Sequence, residues 1–208
     1  MIVGIPVYHK VDLLDVAGPM EMFSWAGLDV RLVAEKPGPV ESLAGLVMQV
    51  ADDFRSAPQF DLLWTPGGDP KSLVALMNDP KRTYLDFLVH QSGAARYVCS
   101  VCEGALLLAA AGLLDGYTVT THWAFTRCLT DMFPKVTVVK GHPRFCLDRN
   151  RMTGGGISSG LDEALELIQI LLGTSAAQDV QRNTQYYPDP PVASTIPAEP
   201  PPCPLPKP

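Results

Sequence analysis

Long apolar runs and clusters of basic residues are both absent from this sequence of 208 residues. No stretch approaches the roughly 18 consecutive apolar residues of a transmembrane helix. The N-terminal segment lacks the charged region and cleavage site of a signal peptide. A formal net charge of −6 argues against binding to the phosphate backbone of a nucleic acid. We therefore predict a cytoplasmic protein that has no membrane or nucleic-acid partner.

Cysteine and histidine are too few and too scattered to suggest a disulfide framework or a metal site. The five cysteines lie at positions 99, 102, 128, 146 and 203, and their odd number and irregular spacing predict reduced thiols. The four histidines show no ligand spacing, so we predict no metal. Cys99 and Cys102 form a C-x-x-C motif, but an offset of three residues along a strand places their side chains on opposite faces. A disulfide between them is therefore disfavoured.

The chain has the composition of a folded domain, with 47% hydrophobic and 18% charged residues. Short apolar runs at residues 2–7, 30–34, 61–65 and 97–101 predict strands, and helical patterns separate them. This alternation indicates an α/β fold with a mostly parallel sheet that helices cover on both faces. We predict one domain over residues 1–187 and an extended or disordered proline-rich tail over residues 188–208.

Residues 97–114 predict a buried strand, a sharp turn and a helix. The turn reads Ser100-Val-Cys102-Glu-Gly104, which is the arrangement of a nucleophile elbow with cysteine as the candidate nucleophile. The N–H groups at the start of the helix would favour a thiolate. The alternative is an inert thiol, because free cysteine is among the most buried residue types.

Three features follow predicted strands and should meet at the same edge of the sheet. They are the loop with Asp12 and Asp15, the turn with Gly67 and Gly68, and Cys102. Ligands of parallel α/β sheets bind at the carboxyl ends of the strands, so this convergence favours a catalytic cysteine. The two glycines and the Glu103 N–H could supply backbone donors for a developing anion, or the glycines could simply form a tight turn.

Two carboxylates and one histidine have open roles. Asp15 either caps a helix that begins at Val16 or transfers a proton at Cys102. Glu103 either favours the helix dipole or acts on the thiol, whose ionisation it would disfavour as a like charge. His122 opens a further helix and is either structural or a partner of Cys102 that helps to bind substrate.

The motif Gly156-Ile-Ser158-Ser-Gly160 matches the G-x-S-x-G signature of serine hydrolases. That class needs a histidine after the serine, and all four histidines precede Ser158. We therefore interpret the motif as a tight turn into a helix with Ser159 as its N-cap.

Several motifs, in order along the chain, resemble the ThiJ/PfpI superfamily, whose fold is class I glutamine amidotransferase-like. They are Leu14-Asp-Val-Ala-Gly-Pro19, Thr65-Pro-Gly-Gly68, Ser100-Val-Cys-Glu-Gly104, Thr120-Thr-His-Trp123 and Thr153-Gly-Gly-Gly-Ile-Ser-Ser-Gly-Leu-Asp162. Within that group the sequence is similar to bacterial isonitrile hydratases over about residues 1–190. The resemblance implies a flavodoxin-like three-layer sandwich, usually a homodimer, that requires no cofactor.

The resemblance also implies a lyase activity, the hydration of R–N≡C to an N-substituted formamide. Cys102 matches the nucleophile and Asp15 the acid that delivers a proton, while Gly68 and the Glu103 amide match the backbone donors. Isonitrile hydratases carry threonine after the nucleophile, whereas Glu103 stands here. The superfamily also contains proteases, deglycase-like proteins and sensor domains of AraC-type regulators. Another cysteine-dependent hydrolysis, or a non-enzymatic redox-responsive role for Cys102, therefore stays open.

Overall fold

A seven-stranded sheet forms the centre of the protein in the computed structural model, which describes residues 1–206. The strands are, in chain order, β1 (Ile2–Pro6), β2 (Asp29–Ala34), β3 (Gly38–Glu41), β4 (Val47–Val50), β5 (Asp52–Asp53), β6 (Leu62–Thr65), β7 (Tyr97–Ser100), β8 (Thr118–Val119), β9 (Thr137–Val138), β10 (Phe145–Asp148) and β11 (Arg151–Gly154). The helices are α1 (Leu13–Trp25), α2 (Pro70–Met77), α3 (Thr83–Ser92), α4 (Gly104–Ala110), α5 (Thr126–Met132), α6 (Ser159–Leu172) and α7 (Thr174–Asn183).

The strand order in the sheet is β10-β11-β7-β6-β1-β2-β5. Every neighbouring pair is parallel except β10 and β11, which form an antiparallel hairpin at one edge. Two small sheets lie outside it, the antiparallel pair β3–β4 and the parallel pair β8–β9. The predicted mostly parallel sheet is confirmed.

Helices cover both faces of the sheet and complete the three layers of a flavodoxin-like sandwich. The helices α1, α6 and α7 pack together in one layer, and α2, α3, α4 and α5 form the other. The central strands are apolar because they are buried on both sides. For example, Trp64 of β6 packs edge-on against Phe23 of α1, with ring centroids 5.6 Å apart.

Two expected helix starts are wrong. The helix α1 begins three residues earlier than predicted, with Asp12 as its N-cap accepting a hydrogen bond from the Leu14 N–H at 3.0 Å. Asp15 is therefore not the cap, and it lies buried in the first turn. Ser159 is the first residue of α6, and Ser158 holds the cap position. In each case two candidate caps lie close together in sequence, and tertiary packing selects between them.

The proline-rich tail has no regular secondary structure but lies against the body of the protein. Cys203 forms a disulfide with Cys128 of α5, with their Cα atoms 4.8 Å apart, and Leu205 is buried. The prediction of reduced thiols is thus wrong for this pair, because 75 residues separate the two cysteines and only the path of the tail brings them together. Cys99, Cys102 and Cys146 are free thiols. Residues 207–208 of the predicted tail lie outside the described part.

Candidate active site

The turn between β7 and α4 holds Cys102 in a strained backbone conformation. Its φ angle is 56°, in the left-handed region that costs a non-glycine residue about 1–3 kcal/mol. The Cys102 N–H donates to the Gly155 carbonyl at 2.8 Å, and the Thr121 hydroxyl donates to the Cys102 carbonyl at 2.7 Å. A side chain at Gly104 would overlap the Thr65 carbonyl oxygen. These contacts hold a strand–turn–helix elbow, as the sequence predicts.

Asp15 reaches the site from the first turn of α1. Its side chain is fully buried, and its Oδ2 accepts a hydrogen bond from the Gly67 N–H at 2.8 Å. Its Oδ1 is buried and has no hydrogen-bond partner among residues 1–206. Burial, followed by the charge of Asp12, raises the pKa of Asp15 well above its ordinary value, and the Gly67 N–H opposes this rise. A protonated Asp15 is therefore favoured, which makes it a candidate proton donor.

Glu103 also lies beside the thiol and is 7% exposed. Its carboxylate approaches the backbone closely, since a Cβ at Gly67 would lie 2.5 Å from Glu103 Oε2. Burial raises the pKa of Glu103, whereas the Cys102 thiol and the N–H groups of Glu103 and Gly68 lower it. The groups that oppose burial make Glu103 the more readily ionised of the two carboxyls, so it is the one available as a carboxylate to accept a proton. The backbone N–H groups predicted as substrate donors thus face the carboxylates of Asp15 and Glu103 in this structure.

The thiol of Cys102 is 2% exposed and lies beside both carboxyls. Burial raises the pKa of Cys102 well above its ordinary value, and Asp15 and Glu103 add to the rise. The Ile157 N–H acts in the opposite direction but does not compensate. Burial thus favours the thiol over the expected thiolate in the free protein, since desolvation opposes the effect of the N–H groups at the start of α4. A nucleophilic role for Cys102 would therefore require a base that accepts the thiol proton.

Tyr8 belongs to the site, although the sequence analysis does not predict it. The residue follows β1, it is buried, and its hydroxyl donates to the Pro66 carbonyl at 3.2 Å. Burial raises the pKa of Tyr8 well above its ordinary value, and Tyr84, Glu103, Asp15 and Cys102 contribute in that order. The only sequence signal was its position at the carboxyl end of a strand.

His122 lies at the edge of the site and begins the short 3-10 helix Trp123–Phe125. Its Nδ1 accepts a hydrogen bond from the Ala124 N–H at 3.2 Å, and its ring packs where a Cβ of Gly156 would stand. Burial lowers the pKa of His122, which favours a neutral ring at pH 7. The capping contact supports the structural interpretation, and a role in substrate binding stays a prediction.

A cavity of about 350 Å³ falls within the size range of small-molecule sites, and its wall is formed by neighbours of Cys102 rather than by Cys102 itself. Thr121, Gly155 and Ile157 line it, and each of the three also contacts Cys102. In a larger cavity of about 490 Å³, Tyr8 forms part of the wall. Tyr8 connects the larger cavity to the site, but three residues of the smaller cavity contact Cys102 directly. The smaller cavity is therefore the candidate substrate site.

The G-x-S-x-G motif forms the turn from β11 into α6. Ser158 is exposed, and its hydroxyl accepts a hydrogen bond from Arg144 Nη1 at 3.0 Å. The interpretation of this motif as a turn rather than a serine nucleophile agrees with that position.

Within residues 1–206, no three side chains of histidine, cysteine, aspartate or glutamate are grouped so that they could hold a metal ion. None of the helices in the same range is long and apolar enough to cross a membrane.

A model of the DJ-1/PfpI family matches residues 1–170. The chain belongs to the DJ-1/PfpI family. It is 39% identical to the isonitrile hydratase of Pseudomonas putida over 94% of this chain and 82% of that protein. A ThiJ/PfpI family protein from Pseudomonas syringae superimposes with a TM-score of 0.83 at 35% identity, over 92% of this chain and 77% of the other. The superfamily resemblance and the predicted fold are confirmed.

The chain is also similar to part of a protein of a different kind. The HTH-type transcriptional regulator GbdR of Pseudomonas aeruginosa is 34% identical over 71% of this chain, which spans 37% of the regulator. Family membership therefore supports an enzyme of this group without deciding its substrate.

Proposed function

We propose that this DJ-1/PfpI protein is a cysteine-dependent hydratase that converts an isonitrile to an N-substituted formamide. The observation that carries the proposal is a buried Cys102 thiol beside two buried carboxyls, whose pKa values are raised to different extents. The identity of 39% with an isonitrile hydratase supports the substrate class. The roles of Cys102, Asp15 and Glu103 that follow are part of the proposal.

The first step forms a thioimidate. Glu103 accepts the thiol proton while Cys102 Sγ attacks the isocyano carbon, and Asp15 donates its proton to that carbon. The product is R–N=CH–S–Cys102, with Glu103 now protonated and Asp15 ionised. Glu103 suits the role of base because backbone N–H groups face its carboxylate, and Asp15 suits the role of acid because burial favours its protonated form.

The second step adds water to the C=N bond. Asp15 accepts a proton from the water as its oxygen bonds to carbon, and Glu103 returns a proton to the nitrogen. The resulting R–NH–CH(OH)–S–Cys102 collapses when the C–S bond breaks, and the hydroxyl proton passes to the sulfur. The formamide leaves, and all three side chains regain their starting protonation. The hydration consumes one water and needs no cofactor.

Gly67, Gly68 and His122 complete the proposed site. The Gly67 N–H fixes the acid through Asp15 Oδ2, and Gly68 faces the base. His122 lines the cavity beside Cys102 and can contact the R group of the substrate. A homodimer is also proposed, and sedimentation velocity would measure it.

The redox-responsive alternative is less well supported. Oxidation of a thiol by peroxide proceeds through the thiolate, and the surroundings of Cys102 raise its pKa. We expect Cys102 to resist conversion to sulfinic acid at modest peroxide, as measured by site-resolved mass spectrometry. Rapid and selective oxidation of Cys102 would favour the sensor role instead.

The test of the hydratase is product identity together with covalent capture. The wild-type protein is incubated with cyclohexyl isocyanide, N-cyclohexylformamide is quantified by mass spectrometry, and a sample is quenched during turnover. We expect formamide above the buffer control and an adduct with the mass of the isonitrile on the Cys102 peptide. Formamide at the buffer rate, or an adduct confined to another cysteine, would contradict the proposal.

A further inference from the structure

The proline-rich tail forms part of the wall of the 350 Å³ cavity that the neighbours of Cys102 line. Ile196 lines that cavity together with His122 and Ile157. The next residue, Pro197, accepts a hydrogen bond through its carbonyl oxygen from the His142 ring at 3.2 Å. The tail thus contributes a wall to the candidate substrate site, although it lies outside the domain predicted from the sequence.

The tail is attached to the rest of the protein both before and after Ile196 in the chain. The Cys203 sulfur is bonded to Cys128, whose side chain is fully buried in α5, and Leu205 is buried nearby in sequence. A chain fixed at both ends of a segment has fewer conformations than a free terminus. The disulfide therefore confines Ile196 near the cavity, even though the side chain remains 51% exposed.

We propose that Ile196 is a specificity-determining residue, and that the Cys128–Cys203 disulfide holds it in place. This inference rests on the proposed function. It specifies which part of the substrate determines selectivity, namely the R group of the isonitrile. The reactive carbon must reach Cys102, so R projects into the cavity that Ile196 partly closes. Bulky R groups are excluded by contact with the Ile196 side chain, and smaller ones are retained.

The test compares two substrates that differ in the size of R. The ratio of kcat/KM for 1-adamantyl isocyanide to that for cyclohexyl isocyanide is measured for wild type, Ile196→Ala and Cys203→Ser. Truncating a side chain that contacts substrate changes discrimination by about tenfold, so we expect the ratio to rise by that factor in Ile196→Ala. Cys203→Ser should raise it in the same direction. Val192→Ala is the matched control, because Val192 lies in the same tail and is 76% exposed.

Reduction provides a second way to release the tail without a substitution. Dithiothreitol passes two electrons and two protons to the sulfurs of Cys128 and Cys203 and is itself oxidised to a cyclic disulfide. The reduced wild type should match Cys203→Ser, while Cys203→Ser itself should not respond to the reductant. An unchanged ratio in Ile196→Ala, or an equal change in Val192→Ala, would overturn the proposal.

A readout independent of isonitrile chemistry separates this inference from the proposed function. The alkylation rate of Cys102 is measured by site-resolved mass spectrometry with iodoacetamide and with the larger N-phenylmaleimide. Ile196→Ala should raise the rate for the maleimide relative to iodoacetamide, and Val192→Ala should not. If that shift occurs while no isonitrile is hydrated, the proposed function fails and the role of the tail stands. If formamide forms but neither ratio shifts, the role of the tail fails alone.

Discussion

The turn from β7 to α4 and the turn from β11 to α6 lie side by side, because β7 and β11 are parallel neighbours in the sheet. Each turn contains a non-glycine residue with positive φ, Cys102 at 56° and Ile157 at 23°. Each also carries a possible nucleophile, the Cys102 thiol and the Ser158 hydroxyl. The backbone plan is shared, so the difference between the two turns lies in what surrounds the side chains.

The surroundings differ in burial and in the acids that they supply. Cys102 is buried beside Asp15 and Glu103, and both carboxyls have a raised pKa. Ser158 is exposed and lies against the guanidinium of Arg144. A strand–turn–helix motif therefore presents a side chain, and the neighbouring elements decide whether proton transfer can occur there.

Removing each candidate nucleophile gives the largest expected contrast between the two turns. Cys102→Ala should lower kcat/KM for cyclohexyl isocyanide by at least about 10⁴-fold, because no covalent intermediate can form. Ser158→Ala should change it by less than about fivefold, since the hydroxyl lies at the cavity rim. Formamide production by both variants, followed by mass spectrometry, checks this. Comparable losses of activity in the two variants would contradict the proposed difference between the two turns.

Replacing the acid beside the first turn should have the next largest effect. Asp15→Asn keeps the size of the side chain but cannot donate the proton, so kcat should fall by about 10³-fold. In wild type, activity should fall as pH rises through the raised pKa of Asp15, because the acid form is then lost. That limb should be absent from the pH profile of Asp15→Asn. Asp12→Asn keeps a side-chain oxygen that can cap α1 and removes only a neighbouring charge, and an equal loss there would contradict the assignment.

Much of the fold and part of the site were predictable from the sequence, because they depend on residues that lie close together in the chain. The runs in β1, β6 and β7 are apolar because both faces are covered, and that signal is local. The hairpin β3–β4 was not predictable, since its first strand, Gly38–Glu41, contains glycine and proline where a turn is expected. The Cys128–Cys203 pairing depends on the path of the tail, which spacing does not encode.

The chemistry of the site likewise has a part that the local sequence predicts and a part that only the folded structure determines. The elbow at Cys102 is a local pattern, and its convergence with Asp15 follows from strand order. The protonation of the thiol could not be predicted, because helix-end polarity favours a thiolate while burial between Asp15 and Glu103 disfavours it. Which effect dominates depends on the depth of the site, and only the packed structure contains that information.

A substitution at Glu103 changes the surroundings of the turn from β7 to α4 and leaves the Cys102 thiol in place. Glu103→Gln removes the proposed base, so kcat should fall by about 10²-fold. The same change removes a negative charge, so the pKa of Cys102 should fall and its alkylation by iodoacetamide at pH 8 should become faster. Site-resolved mass spectrometry measures that rate, and Glu166→Gln on α6 is the control. If alkylation does not accelerate, the two side chains do not interact as inferred.

Glu163 extends the comparison to the second turn and carries the smallest expected effect. This residue of α6 is fully buried, and neither carboxyl oxygen has a hydrogen-bond partner among residues 1–206. Whereas Glu103 faces a thiol and backbone N–H groups, Glu163 packs against Gly154 at the end of β11. Burial, followed by the charge of Asp15, raises the pKa of Glu163 well above its ordinary value. Glu163 therefore destabilises the folded protein near neutral pH and takes no part in the proposed reaction.

The prediction concerns stability and its pH dependence. A folded-state pKa above the unfolded value of about 4.3 means that the contribution of Glu163 to stability is fully present below that pH and is lost as pH rises through the folded value. Glu163→Met should therefore raise the free energy of unfolding at pH 7 by about 1–3 kcal/mol, and the gain should shrink toward pH 4. Urea denaturation at several pH values measures it, with Glu166→Met as the matched control. A gain independent of pH would mean that packing, rather than ionisation, distinguishes the two buried glutamates.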